Sequence, residues 1–385
     1  MLYFKENIEL TTHYKMHQPV PVNTPLLNGN ELKYLTECIE TGWISSEGPF
    51  ISQFEAKFSS YIGCTHGIAV SNGSAALDIA IKALKIGAGD EVIMPAFTII
   101  SPAQSVVTAG ATPVLVDSDP LTWNMDVAQI AAKITPKTKA ILVVHIYGLP
   151  VDMDPVLALA KKHNLKVIED AAEMHGQTYK GKMCGNLADI SIFSFYPNKH
   201  ITTGEGGMLL TNDQELAERC KKLRNLCFEP NGPRFIHYEL GWNYRMTNLQ
   251  AALGLAQLER IEEFIGIKRK MGALYQKELA FLTEKSYQLP LLETTYAKNI
   301  YWVFGLLAPN QQTKEEMVKQ LAAEQIGTRP FFWCIHEQPV FKNMGLFKDE
   351  RYPVAEKLAR NGFYLPSGLG LKEDELNVVV NVMKR

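Results

Sequence analysis

The chain carries almost no net charge: 39 Lys and Arg against 41 Asp and Glu leave −2 over 385 residues. That balance offers no basic field for nucleic acid or for an acidic membrane surface. Long apolar runs are also missing, so no segment reaches membrane-spanning length. The N-terminus lacks the uninterrupted apolar stretch of an export signal. Six cysteines (Cys38, Cys64, Cys184, Cys220, Cys227, Cys334) are scattered without a CxxC pair. This spacing argues against a zinc site or a disulfide frame and fits reduced, buried thiols. Sequence repeats and low-complexity tracts are absent. These absences lead to the expectation of a cytoplasmic protein with no metal and neither nucleic acid nor membrane as partner.

What the chain does have is length. At 385 residues it exceeds one ordinary core and implies two domains. Residues 1–22 show little periodic pattern and read as a surface extension, 23–264 as a large domain, and 265–385 as a smaller α+β domain. The last begins where a charged helix (Lys268, Arg269, Lys270, Lys277, Glu278) takes over, followed by a strand with aromatic content expected over Asn299–Leu307 and by the aromatic-rich segment Thr328–His336. Strands are expected at Glu91–Met94, Pro113–Val116, Ala140–His145, Lys166–Glu169, Asp189–Phe195 and Met208–Thr211. Helices are expected at Pro102–Ala109, Asp126–Lys133, Met153–His163, Asp213–Asn225 and, as one long run, Leu249–Phe264. Continuous apolar strands such as Ile141-Leu142-Val143-Val144, alternating with helices, predict an α/β fold whose mainly parallel sheet is buried on both faces. Ligands in such sheets gather at the strands' carboxyl ends.

Asp170 falls at such an end, and Lys199 lies in the Pro197-Asn198-Lys199 turn after the next strand. A Gly-rich turn, Gly204-Glu205-Gly206-Gly207, then leads into a third strand. A lysine and a carboxylate so placed are what a pyridoxal phosphate (PLP) enzyme needs. The amine forms a Schiff base, and the acid keeps the pyridine nitrogen protonated. Upstream, Ala69-Val70-Ser71-Asn72-Gly73-Ser74-Ala75 is a strand turning into a helix with Leu77, Ile81 and Leu84 on one face. Ser74 is placed as an N-cap, and the same helix start makes a phosphate seat.

With these motifs the chain, from Pro25 to its C-terminus, resembles the DegT/DnrJ/EryC1/StrS sugar aminotransferases among the fold-type I PLP enzymes. Within that family it is most similar to the branch that forms GDP-perosamine. The resemblance implies that Ser74, Ala75 and Ser194 seat the PLP phosphate and that Glu173 lies near the phenolic oxygen. It puts Ile99 where an aromatic residue usually stacks on the ring; Phe97, two residues earlier, would point the same way on a strand. It also implies a homodimer with shared active sites, in which Asn243 reaches the neighbour's phosphate and Arg245 supports it. Ser45, Ser46, Arg329 and His336 are the implied sugar-nucleotide contacts, Arg329 for the diphosphate. A dehydratase branch replaces the Schiff-base lysine with histidine; here Lys199 is present and His200 merely follows it.

The expected reaction is amino transfer from L-glutamate to a nucleotide-linked keto-sugar, with GDP-4-keto-6-deoxy-mannose the acceptor the resemblance favours. The product would be GDP-perosamine for surface polysaccharide such as O-antigen. Lys199 is the expected proton shuttle. UDP- or dTDP-linked acceptors stay open. So do a PLP-dependent dehydratase, which the lysine argues against, and a non-catalytic PLP-fold regulator, for which no DNA-binding segment is present.

Overall fold

Alternation along one strand explains the layering. In the computed structural model, residues 18–229 and 232–385 are described, so residues 1–17 of the expected extension lie outside them. Strand β4 (Thr138–Val144) is apolar on both faces. Ala140, Leu142 and Val144 join a core with Leu77 and Ile81, while Ile141 and Val143 join another with Met153, Val156 and Phe264. A strand buried on both faces needs helices above and below it.

The strands are β1 (His66–Val70), β2 (Glu91–Pro95), β3 (Thr112–Val116), β4, β5 (Lys166–Asp170), the small hairpin β6 (Thr178–Tyr179) and β7 (Lys182–Met183), β8 (Ile190–Ser194) and β9 (Gly207–Thr211). Seven of them form one sheet in the order β1-β9-β8-β5-β4-β2-β3. Every pairing from β8 through β3 is parallel, whereas β9 runs antiparallel to both β8 and β1. The helices over this part are α1 (Glu31–Thr41), α2 (Pro49–Ile62), α3 (Gly73–Ala83), α4 (Ser101–Thr108), α5 (Ile130–Lys133), α6 (Met153–His163), α7 (Gln214–Leu223) and α8 (Asn248–Leu258). The expected α/β architecture with a mainly parallel sheet is what forms.

Two expectations change. The single run from Leu249 to Phe264 is two helices, α8 and α9 (Ile261–Glu278). Arg260 leaves helical geometry between them and turns its guanidinium to Glu263 and Asn28. Glu262 and Glu263 in the first turn of α9 suit a new helix start. The strand expected over Asn299–Leu307 shrinks to β10 (Phe304–Leu307), because residues 299–303 are committed to contacts outside any ladder.

Strand β10 pairs antiparallel with β12 (Gly362–Leu365), which also pairs with β11 (Arg329–Pro330). Around them pack α9, α10 (Gln311–Ala323) and α13 (Glu373–Met383), with Tyr275, Leu321, Phe363 and Val379 in the core. The short α11 (Pro339–Asn343) and α12 (Pro353–Asn361) pack against the main core through Phe341 and Leu358. Helix α9 runs unbroken through residues 264 and 265, giving Phe264 and Ile265 to one core and Met271 and Tyr275 to the next. At the described N-terminal end, Val20 bridges Ile326. No described helix is long and apolar enough to cross a membrane.

The Gly-rich turn ends where two backbone segments press together. A Cβ on Gly207 would lie 2.5 Å from the carbonyl oxygen of Asn72 and 3.0 Å from the nitrogen of Gly73. Gly207→Ala should therefore push the start of α3 away from β9 and cost roughly 1–3 kcal/mol. Urea unfolding reads this as a lower midpoint with an unchanged slope.

Candidate active site

The carboxyl ends of β5 and β8 open into a cavity of about 610 Å³. Its walls include Asn72, Gly73 and Ser74 from the start of α3, Thr98 and Ile99 after β2, Asp170 at the end of β5 with Glu173 beyond it, Ser194 at the end of β8 with Lys199 beyond it, and Trp302 and Phe332. Alternation on β5 sends neighbouring acids to opposite faces. Glu169 turns away and accepts from Gly185 N (2.6 Å), Ser191 Oγ (2.9 Å), Leu187 N (3.1 Å) and His145 Nε2 (3.1 Å). His145 Nδ1 accepts from Val151 N, which fixes the proton on Nε2. Asp170, on the cavity side, accepts one hydrogen bond, from Ala172 N at 3.1 Å.

The lysine sits between an acid and an aromatic face. Lys199 Nζ lies 3.9 Å from Glu173 Oε1 and 3.8 Å from the ring centre of Trp302. Glu173 is held by the N–H of Tyr147 (2.7 Å), whose φ of 55° aims that donor inward. Burial dominates the titration of all three groups. It pushes Asp170 up to about 6 and Glu173 up to about 8, with the Lys199 charge pulling both back. Burial lowers Lys199 against the opposing pull of the two acids. Behind the lysine, burial and the Lys199 charge lower His175 to about 3, so it is a neutral ring.

The start of α3 is pressed against the end of β8. A Cβ on Gly73 would stand 2.9 Å from Ser194 Cβ, and Ser74 Oγ donates to Ser101 Oγ at 2.9 Å. The cap is Asn72, not Ser74: Asn72 Oδ1 accepts from Ala75 N at 2.8 Å. That bond occupies Ala75, which is buried away from the cavity, and leaves the N–H groups of Gly73 and Ser74 without intrahelical acceptors.

The remaining expected site residues lie elsewhere in this chain. Ser45 and Ser46 precede α2, where Ser45 O accepts from Asn248 N. Asn243 is exposed and accepts from Arg245 Nε at 3.1 Å. Arg329 is exposed on β11. His336 is buried, with Nε2 3.2 Å from Glu356 and its ring edge-on to Tyr352; that pairing turns it away from the cavity. Ile99 does line the cavity. Phe97 does not replace it, being fully buried among Tyr147, Phe331 and Phe332.

The sequence reading missed Asn72, Thr98, Trp302 and Phe332. Asn72 stood in the same strand-to-helix motif, and Trp302 and Phe332 were visible as aromatic-rich segments without a direction.

A family model matches residues 25–384. The chain belongs to the DegT/DnrJ/EryC1/StrS aminotransferase family. It is 44% identical to GDP-perosamine synthase of Caulobacter vibrioides, over 94% of this chain and 96% of that protein. To the enzyme of the same name from Escherichia coli O157:H7 it is 43% identical, over 93% and 95%. Among solved structures it resembles an aminotransferase from Psychrobacter cryohalolentis, with a TM-score of 0.87 and 32% identity over 94% of this chain and 97% of that one. Within this fold Lys199, Asp170 and Glu173 stand together at the strand ends, largely hidden from solvent.

The raised acid has a consequence for stability. Glu173 binds its proton more tightly in the fold than at its ordinary value of 4.5. Its stabilisation is therefore complete below pH 4.5 and is lost as pH rises towards about 8. The cofactor-free protein should lose a few kcal/mol across that window, at about 1.4 kcal/mol for each tenfold difference in proton affinity. Glu173→Gln should lose much less. Urea midpoints at a series of pH values check this.

Proposed function

We propose that the cavity holds pyridoxal 5'-phosphate at Lys199 and that the protein transfers the amino group of L-glutamate to GDP-4-keto-6-deoxy-mannose, forming GDP-perosamine for surface polysaccharide. The observation that carries this reading is the burial of one amine and two carboxylates, brought from the carboxyl ends of neighbouring strands, around a single cavity. Kinship with two enzymes named GDP-perosamine synthase supports the choice of acceptor.

Several features of the cavity fit the cofactor. Asp170 is a buried carboxylate with one N–H donor, which suits a cationic ring nitrogen. Thr98 Oγ1 is buried without a protein partner and lines the cavity. Gly73 and Ser74 offer free N–H groups at a helix start beside the hydroxyls of Ser74 and Ser194, which suits a phosphate. Lys199 would hold the aldehyde carbon, Asp170 the ring nitrogen, Ile99 an apolar side of the ring, and Glu173 the edge nearest Tyr147. When bound, PLP supplies an aldehyde that takes up the donor's amino group and a ring that withdraws electrons from the adjacent carbon.

The protein's own part is proton handling and exclusion of water. Burial lowers Lys199, which favours the neutral Nζ that can take a proton from the donor's α-carbon and return it nearby. Glu173, raised to about 8, keeps a proton available beside that amine. Trp302 and Phe332 wall the amine off from bulk water.

The same reading makes the protein a homodimer with shared sites. Asn243 is exposed, and the loop before it presents Phe235, Tyr238 and Leu240, each at least 72% exposed. An apolar loop of that kind suits burial against a second copy. In that assembly Asn243 and Arg245 would complete the neighbour's phosphate seat, with Ser45, Ser46 and Arg329 towards the sugar nucleotide.

The test is a panel of GDP-, UDP- and dTDP-linked 4-keto-sugars assayed for glutamate-dependent amination. Turnover is expected with the GDP-linked 6-deoxy-mannose derivative; turnover confined to a UDP or dTDP carrier would refute the acceptor. Lys199→Ala should lower the rate at least about 10³-fold and Asp170→Asn about 10²-fold or more. The visible absorbance of the PLP-loaded protein should be lost in Lys199→Ala.

A further inference from the structure

A second lysine lies out of sight of the solvent. Lys268, on α9, is 2% exposed and forms no ion pair among the described residues. Its Nζ donates to Trp302 O at 2.7 Å and to Ser367 O. Burial pulls its amine down to about 7, a measure of what enclosing it costs. A cation enclosed without an acid is unfavourable, and a neutral donor would satisfy two carbonyls. Some other demand keeps a long, stiffly held amine at this place.

The two carbonyls show what that demand is. Ser367 Oγ accepts from Phe304 N at 2.9 Å and donates to Leu365 O at 2.7 Å, so Lys268 is tied to both β10 and the end of β12. Trp302 is gripped at four more points. Its indole Nε1 donates to Asn198 O at 2.8 Å, the residue before Lys199. Its ring stacks on Tyr147 at 5.8 Å and on Phe332 at 6.4 Å. Its face meets Lys199 Nζ at 3.8 Å. Residues 299–303 form no strand that would fix the ring by ladder bonds.

We infer that Lys268 is a positioning residue that anchors the backbone at Trp302 from behind, and that Trp302 is a catalytic residue whose ring holds the Lys199 amine in register. The inference rests on the reading of Lys199 as the reacting amine. Each time that amine is free, it must stay beside the reacting carbon, and a ring face confines it without a competing hydrogen bond. An aromatic face also favours the ammonium that forms when Nζ takes up a proton.

Competitive acetylation of the cofactor-free protein, with the Lys199 peptide followed by mass spectrometry, gives the protonation midpoint of that amine. Trp302→Leu and Lys268→Met should each lower it by about half a pH unit, and the double variant should go no further. Lys268→Arg, which keeps the donors, should leave it within about 0.2 pH unit. In the holoenzyme, Lys268→Met and Trp302→Leu should each lower kcat about tenfold with KM for both substrates within about twofold, again without adding. Should Lys268→Met not fold, Lys268→Gln takes its place in the same cycle. An unchanged Lys199 midpoint in the lysine variant alongside a lowered Tm would reduce Lys268 to a structural residue, as would additive losses in the double variant. Failure of the unsubstituted enzyme to transfer amino groups would instead count against the functional reading, and the acetylation cycle would then decide the contact by itself.

Discussion

Water exclusion around Lys199 is the constraint from which the rest of the site follows. One amine and two carboxylates share a space that the sheet, α3 and the aromatic side chains close off. In that space burial drives Asp170 and Glu173 up and Lys199 down. The protein partly offsets the conflict with N–H groups, one from Ala172 to Asp170 and one from Tyr147 to Glu173. These donors leave the two carboxylates short of partners on the cavity side.

The division of labour on β5 shows how a strand separates structure from chemistry. Glu169 and Asp170 are adjacent and equally hidden, yet four donors meet the first and one meets the second. Glu169 and His145 lock β4, β5 and the turn after β7 together. The rigidity they provide is what allows Asp170 to remain under-satisfied a single residue away.

Much of this was legible in the chain itself. Continuous apolar strands and short links pointed to the sheet and its carboxyl-end site, because burial on both faces leaves a simple pattern. Asp170, Glu173, Ser194 and Lys199 were readable from one stretch, since they follow consecutive strands of the sheet. Trp302 and Phe332 were not, because their direction is set by packing between distant segments rather than by local period. Ser74 was read as the cap of α3, but the backbone turn gives that role to Asn72, two residues earlier. His336 looked functional among aromatic residues but spends its ring nitrogen on Glu356. The break between α8 and α9 was hidden because apolar residues continue at helical spacing across it, from Leu255 and Leu258 to Ile261, Phe264 and Ile265.

The reversed course of β9 has a consequence during synthesis. β1 is the first strand of the large sheet to leave the ribosome, yet its one partner there is β9, the last. Until residues 207–211 emerge, the backbone of 66–70 has no ladder to join. An unpaired apolar strand held open that long is a template for contact with other nascent chains. Helix α2, which lies before β1 and packs on it, is the shelter available in the interval. The docking of an early helix thus guards the edge strand that leads into α3 and the cavity wall.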